Sequence, residues 1–373
     1  PADISKLTKL KKLKLDGNRL TGIIPESVRN HDSWQIWDAT GNIYPQQVGY
    51  GFVTTIPEST DFSQNGRVFK VHSANKGSGI NIVIAGDGFI DTEIGENKIY
   101  DLTMRAAAEK FLNIEPYKTY KDYFNIYYIR AVSKQQGISV NSSTLDTKFS
   151  IRNVGVKSTS LMVNSEYVSS FVKSAGLDDS RVIIISNSKI YAGTCHFINS
   201  EGKIKTVALC TLEDMENVLH HEANGHGFGL LADEYVTNYI TIPEAQVATL
   251  KSEQNGGLLW QNVDFTSDKS AVKWKNFFGR NGYQSVGVYE GANYYRFGVW
   301  RPEENSCMID NRSYFNAPSR EAIVRRIRAM SGEQFDFEDF VIKDQAALIS
   351  APVITKAPVA VQPKLGDPVI TWR

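Results

Sequence analysis

Apolar residues recur in short, β-branched runs along the middle of the chain, and these runs predict the strands of a buried sheet. Ile80–Ala85 and Arg181–Ser186 are the clearest, because hydrophobic residues fill nearly every position of both. Further strands are predicted at Val68–Val71, Tyr123–Val132, His196–Ile198 and Lys205–Leu209, the last two as a hairpin.

Between and after these runs, the apolar residues recur with helical spacing. It predicts helices at Ile99–Phe111, near Ser160–Lys173, from about Thr211, at Ser319–Met330 and, as a short continuation, at Ser331–Phe340. Thr211 and the acids behind it suit a capped helix start. Residues 236–300 have weak periodicity and predict long loops. Strands that alternate with helices predict an α/β (α+β) fold with a mixed central sheet.

The first 48 residues differ in pattern from the rest. Their spacing matches the leucine-rich repeat LxxLxLxxNxL at Leu10, Leu13, Leu15, Asn18 and Leu20. A degraded copy follows 24 residues later at Trp34, Trp37, Ala39, Asn42 and Tyr44. The alternative is an amphipathic helix over residues 4–15. We predict a leucine-rich-repeat remnant or cap at 1–48, whose surface could bind a protein or glycan ligand.

The prolines after Ala351 predict an extended edge strand or linker, so the expected domains are 1–48, a main domain at 49–350 and a tail at 351–373. The chain begins at Pro1 without an initiator methionine or signal peptide, which suggests a processed part of a longer precursor.

Charge excludes some classes of partner. Lys plus Arg and Asp plus Glu number 41 each among 373 residues, so bulk charge favours neither nucleic acid nor a membrane surface. No apolar run approaches the roughly 20 residues that span a bilayer. Cys195, Cys210 and Cys307 form no CxxC pair, which argues against a thiolate zinc site. Cys195 and Cys210 could form a disulfide across the predicted hairpin, or all three cysteines could be buried thiols.

The candidate chemistry is concentrated in residues 220–235, which read HHEANGHGFGLLADEY. Zinc hydrolases commonly place two histidines four apart on a helix, with a glutamate beside the first. Here His221 and His226 are five apart, and an ideal α-helix would separate their directions by about 140°. Both could bind one metal only if the helix widens, as a π-bulge does, and the segment from Ala223 to Gly225 is a permissive place for one. The alternative, a surface helix with incidental histidines, does not account for Glu222 and the nearby acids.

The pattern HExxGHxxGxxxDEY resembles that of the IgA-peptidase-like zinc metallopeptidases. Their usual motif, HExGHxxGxxxDEY, has one residue fewer between the two histidines. The longer HExxGH spacing also resembles that of dipeptidyl peptidase III, a zinc enzyme of another fold. The resemblance covers about residues 66–340 and extends to segments at Gly86–Phe89, Asn187–Ser188, Tyr191–Gly193 and Pro302–Met308. It implies a metzincin-like peptidase domain with one catalytic Zn²⁺.

By that resemblance, His221 and His226 are zinc ligands and Glu222 is the general base. The third ligand is less directly indicated, because the related metzincins place it where this chain has Ala232, which cannot bind a metal. Asp233 is the first choice for this ligand. Glu234 is the second choice and His196 the third.

Other residues have two interpretations each. Met308 resembles the methionine of the metzincin Met-turn, or it fills the core. Tyr314 or Tyr235 could stabilise an oxyanion, although both residues could be structural. His220 is expected to pack or to contact the metal ligands. Asp87, in a glycine turn, is expected to be structural rather than a calcium ligand.

Together these features predict a secreted, periplasmic or cell-surface zinc endopeptidase that acts on proteins or peptides through water activated by zinc and Glu222. One alternative is a catalytically inactive binding or adhesion protein that uses the leucine-rich repeats. The other is a zinc amidohydrolase acting on cell-wall or small-molecule amides.

Overall fold

A seven-stranded mixed sheet forms the centre of the computed structural model, which describes residues 12–14, 36–38, 56–140, 144–155, 158–200, 203–257, 259–350 and 369–372. In chain order the strands of this sheet are β3 (Val68–His72), β4 (Ile80–Asp87), β5 (Phe124–Ile129), β9 (Arg181–Ser186), β10 (Gly193–Ser200), β11 (Lys203–Thr211) and β15 (Val369–Trp372). Their spatial order is β15-β10-β11-β9-β4-β5-β3. Strands β5, β4, β9 and β11 run parallel, whereas β3 is antiparallel to β5 and β10 to β11. The predicted α/β fold with a mixed sheet is confirmed.

The apolar runs become strands because both faces of the sheet are covered. Successive residues of a strand point to opposite faces. In β4, Ile82 and Ile84 join one hydrophobic cluster, and Val83 and Ala85 join the other. All four side chains are fully buried. A strand that is buried on both faces has no polar alternation, which is why the sequence shows continuous hydrophobic runs.

Helices cover both faces of this sheet. Among the described residues, the α-helices and the π-helix are α1 (Ile99–Leu112), α2 (Ser165–Ser174), α3 (Met215–Leu219), the π-helix (His220–Phe228), α4 (Glu244–Asn255), α5 (Cys307–Asp310), α6 (Ala317–Met330) and α7 (Phe337–Ser350). Buried residues of α1, the π-helix and α6 belong to the larger cluster, and those of α2 to the smaller one. The π-helix therefore lies against the sheet, where it contacts β10 and β11.

Two three-stranded sheets accompany the central sheet. Strands β6 (Ser139–Val140), β7 (Arg152–Asn153) and β8 (Leu161–Met162) form one of them. Strands β12 (Val236–Thr241), β14 (Tyr294–Arg301) and β13 (Tyr289–Ala292) form the other in that spatial order. The second small sheet begins directly after the motif ending at Tyr235, so it brings residues near 294 to the end of that motif.

Several predicted boundaries are wrong, and tertiary contacts explain the differences. The helix expected near Ser160–Lys173 begins only at Ser165, since Leu161–Met162 pairs as β8 and Asn164 caps the helix. Thr211 does not cap a helix, because it ends β11 in register with Ser186. Within the expected loops of 236–300 lies α4, and the short helix expected at Ser331–Phe340 is instead α7, Phe337–Ser350.

The cysteines and the terminal segments bear on three further expectations. Cys195, Cys210 and Cys307 are all buried and unbridged, which agrees with the thiol interpretation. The expected repeats at 1–48 lie outside the described residues, apart from β1 (Lys12–Lys14) and β2 (Ile36–Asp38). These two strands pair in parallel, with Lys12 opposite Ile36, an offset equal to the predicted repeat length. The leucine-rich repeat and the division into three domains remain predictions.

The tail expected from Ala351 contributes one strand, β15, which pairs in parallel with β10 at the edge of the sheet. The rest of the tail lies outside the described residues. Within the described part of the chain, no helix is both long and apolar enough to cross a bilayer.

Asp87 is the last residue of β4, and its hydrogen bonds hold residues 147–151 against the sheet. Its fully buried carboxylate accepts hydrogen bonds from the Thr147 hydroxyl and Phe149 N, each at 2.8 Å, and from Ile151 N at 3.2 Å. Burial raises the pKa of Asp87, and these hydrogen bonds oppose the rise. The donors that surround this carboxylate support the structural role expected for it.

Replacing this carboxylate tests that role. In Asp87→Ala the buried donors of Phe149 and Ile151 lose their acceptor, so we expect the free energy of unfolding to fall by about 3 kcal/mol. Urea denaturation measures the change, with Asp61→Ala as the control because Asp61 is an exposed carboxylate bonded to Ser63 N. Stabilisation of the wild type by calcium, lost in Asp87→Ala, would contradict the structural role.

Candidate metal centre

The histidine segment is a widened helix, as the five-residue spacing predicted. Helix α3 continues directly into the π-helix His220–Phe228, all of whose residues are buried. Within it the amide of Gly229 donates to Asn224 O at 2.9 Å, a five-residue step rather than the four-residue step of an α-helix. The widening extends over the whole segment and not only over Ala223–Gly225. It turns His221 and His226 towards one point.

Three side-chain atoms meet at that point. His221 Nε2 lies 3.1 Å from His226 Nε2 and 3.1 Å from Asp233 Oδ1, and His226 Nε2 lies 3.4 Å from the same oxygen. All three side chains are at most 1% exposed. The structure thus brings together the residues suggested as ligands, and within its described residues they form the one group of three that could hold a metal ion.

Hydrogen bonds to the backbone determine which imidazole nitrogens face the point. His221 Nδ1 lies 3.0 Å from Cys307 O, and His226 Nδ1 lies 2.7 Å from Leu231 O. A carbonyl oxygen can only accept, so each Nδ1 donates its N–H, and in the neutral form of such a ring Nε2 carries the lone pair. Two nitrogen lone pairs and a carboxylate oxygen therefore converge in a buried place.

Such a group of acceptors requires a cation between its members. The charge of Asp233 and the hydrogen bond to it outweigh burial and raise the pKa of His226 to about 9. Burial alone would raise the pKa of Asp233, but the two histidines outweigh it and hold that pKa well below its usual range. A proton can be that cation, and a metal ion can replace it because metal ligation displaces protons from such groups.

The other two suggested third ligands lie elsewhere. Glu234 accepts hydrogen bonds from Asn262 Nδ2 at 2.7 Å and from Asn316 Nδ2 at 2.8 Å. Burial raises the pKa of Glu234 to about 7, although these two amides oppose the rise. His196 is bonded on β10 to Leu161 O at 3.0 Å. Of the two acids in the DEY segment, Asp233 faces the histidines. Glu234 holds the segment against the core through its hydrogen bonds to Asn262 and Asn316.

Glu222 is a residue of the π-helix, and its side chain packs against the beginning of β10. It is fully buried, and a Cβ added to Gly193 would stand 2.9 Å from Glu222 Cγ and 3.1 Å from Oε1. Only a glycine at position 193 leaves room for the carboxylate. Gly193, the last residue of the Tyr191–Gly193 segment noted in the sequence, therefore has a steric role beside Glu222.

Met308 and His220 support the π-helix. Met308 is fully buried, and its sulfur is so close to Gly225 that any side chain there would overlap it. Gly225 lies between His221 and His226 in the chain, so the position of Met308 agrees with that of a Met-turn methionine beneath the two histidines. His220 Nε2 lies 2.9 Å from Lys110 O, so this histidine packs against α1 instead of joining the donor group.

Tyr314 and Tyr235 make contacts that agree with the structural interpretation of both residues. The Tyr314 hydroxyl donates to Glu303 Oε2 at 2.8 Å, and the Tyr235 ring packs edge-on against Tyr294. Tyr294 was missed by the sequence reasoning, yet its hydroxyl donates to Asp233 Oδ2 at 2.5 Å from 61 residues along the chain. No spacing pattern could have shown this contact, because only the pairing of β12 with β14 creates it.

The fold is a mixed α/β domain in which a widened helix and the following segment bring together three buried side chains that could hold a metal ion. A family model described as IgA Peptidase M64 matches residues 70–283 and 280–327, which is more than half of the chain. The chain therefore belongs to this family of metallopeptidases. It is a peptidase, a hydrolase whose substrates are proteins or peptides. No curated protein matches the chain.

The contact between β10 and Glu222 generates a prediction. In Gly193→Ala the new methyl group would press on Val218 Cγ1 and Glu222 Cγ, so we expect the free energy of unfolding to fall by about 1–3 kcal/mol and peptide hydrolysis to fall with it. Thermal unfolding and a fluorogenic peptide assay measure the two effects. Gly256→Ala is the matched control, since a Cβ there meets only Glu253 O at 3.7 Å. Equal behaviour of the two variants would contradict the close contact.

Proposed function

We propose that this peptidase is a zinc-dependent endopeptidase whose zinc ion is held by His221, His226 and Asp233. The observation that carries the proposal is the triangle of donor atoms, with sides of 3.1, 3.1 and 3.4 Å. Ligands about 2.0–2.1 Å from zinc at tetrahedral angles lie about 3.3 Å from one another. The triangle therefore fits one face of a zinc coordination shell, with the fourth position left for water or substrate.

The chemistry of the donors also supports zinc. Two imidazoles and one carboxylate suit zinc, whereas magnesium and calcium prefer shells made of oxygen. Each imidazole is oriented by a carbonyl that accepts from its Nδ1, from Cys307 for His221 and from Leu231 for His226. Such outer hydrogen bonds fix the ring and its tautomer in zinc sites.

Bound zinc would supply Lewis acidity, which makes water a nucleophile at neutral pH and polarises the scissile carbonyl. The role of this chain's own carboxylate is proton transfer. Glu222, adjacent to His221 in the chain, accepts a proton from the attacking water as the new C–O bond forms. It then gives that proton to the leaving amine as the C–N bond breaks, so the carboxylate is regenerated. Burial at the base of β10 keeps it away from bulk water.

Metal content tests the ligand assignment. We expect the purified protein to hold about one zinc ion per chain and His226→Ala to lose it, because two donors alone bind zinc weakly. Elemental analysis after gel filtration gives the stoichiometry. His72→Ala is the control, since this histidine is bonded to Lys121 O away from the donor group. A folded wild type without metal, also after addition of zinc, would overturn the proposal.

The role of Glu222 is tested separately. We expect Glu222→Gln to retain zinc and fold but to hydrolyse a peptide about 10²–10⁴ times more slowly, the usual cost of losing a general base. Glu216→Gln is the matched control, because Glu216 on the preceding α3 pairs with Lys110 at the protein surface. The comparison uses the steady-state rates at which the variants cleave an unfolded protein substrate. Full activity of Glu222→Gln would show that another group moves the proton, and cleavage of cell-wall amides alone would favour an amidohydrolase.

A further inference from the structure

The two oxygens of Asp233 have different neighbours. Oδ1 faces the two histidine nitrogens, His221 Nε2 at 3.1 Å and His226 Nε2 at 3.4 Å. Oδ2 accepts the Tyr294 hydroxyl at 2.5 Å, a short distance for a neutral donor and a charged acceptor. Oδ1 is thus left for a cation, whereas Oδ2 is bound by the Tyr294 hydroxyl.

The backbone that carries Tyr294 is strained. Asn293 and Tyr294 both lie in the left-handed region, with φ of 46° and 72°, at the turn between β13 and β14. Non-glycine residues rarely take this conformation, and two in succession persist only where other contacts impose them. Such strain is commonly found where a side chain has to be held in one place.

Contacts with the motif impose this conformation. The amide of Asn293 donates to Asp233 O at 2.9 Å, and the amide of Tyr294 donates to Tyr235 O at 3.0 Å. The Tyr294 ring also packs edge-on against Tyr235, with centroids 5.4 Å apart. The turn is therefore bonded to the backbone on both sides of Glu234 as well as to the Asp233 side chain.

We propose that Tyr294 is a positioning residue for the Asp233 carboxylate. Its hydroxyl holds Oδ2 and so leaves Oδ1 alone for the metal ion, which keeps a second carboxylate oxygen from occupying a position that water or substrate needs. The hydrogen bond also draws negative charge from the carboxylate and so preserves Lewis acidity at an ion with an anionic ligand. This inference rests on the proposed zinc site.

Zinc affinity of Tyr294→Phe is the direct test. Competition with a chromophoric chelator should show zinc bound about 10–100 times more weakly than by the wild type, the usual effect of losing a partner of a metal ligand. The matched control is Tyr295→Phe. Tyr295 is the next residue of β14, and its hydroxyl donates to Gln246 Oε1 at 2.6 Å, so this variant loses a similar hydrogen bond away from Asp233.

Cobalt(II) substitution gives a second measurement that general destabilisation would not alter. Tetrahedral cobalt(II) absorbs visible light more strongly than cobalt(II) with additional ligands. We expect Tyr294→Phe to lose part of this absorption, since the freed Oδ2 can also bind the ion, and Tyr295→Phe to keep it.

The outcomes separate the two proposals. A wild type that binds no zinc overturns the zinc site itself. A wild type that binds zinc, with Tyr294→Phe equal to it in both affinity and spectrum, overturns only the role of Tyr294. An equal loss of affinity in Tyr294→Phe and Tyr295→Phe also overturns that role, because the effect would then come from β14 as a whole.

Discussion

Two imidazoles five residues apart can face one ion only if the helix between them is wider than an α-helix. This constraint accounts for much of the surrounding structure. The π-helix lies against β10 and β11, where glycines allow its close approach. At Gly225 it meets Met308, and at Glu222 it meets Gly193, and neither glycine could carry a side chain. Gly225 within the motif and Gly193 on β10 are therefore packing requirements of the widened helix.

Much of the fold could be predicted from the sequence because the sheet is buried on both faces. Continuous runs such as Ile80–Ala85 reflect that burial directly, and the five-residue histidine spacing predicted the widened helix. Other features depended on partners far along the chain. Thr211 resembles a helix cap, but pairing with Ser186 keeps it in a strand. The contact of Tyr294 with Asp233 depends on the register of β14, which no local pattern encodes.

The adjacent acids of the DEY segment show how position decides function. Asp233 and Glu234 are both almost fully buried, yet one faces two imidazoles and the other faces the amides of Asn262 and Asn316. Sequence reasoning could rank these acids but could not separate their environments, because the side chains that surround each acid come from distant parts of the chain. The amide-bound acid anchors the segment, so the other acid can be presented to the donor group.

The donor atoms come from residues 221–233, whereas two of the three groups that orient them, Tyr294 and Cys307, lie much later in the chain. Ion binding and tertiary structure are therefore thermodynamically linked in the proposed enzyme. An ion present at 1,000 times its dissociation constant would add about 4 kcal/mol to the stability of the folded state. Conversely, any loosening of β14 or α5 from the π-helix would release the ion. Starvation for metal would thus expose this peptidase to unfolding and degradation, and its abundance would follow the supply of the ion.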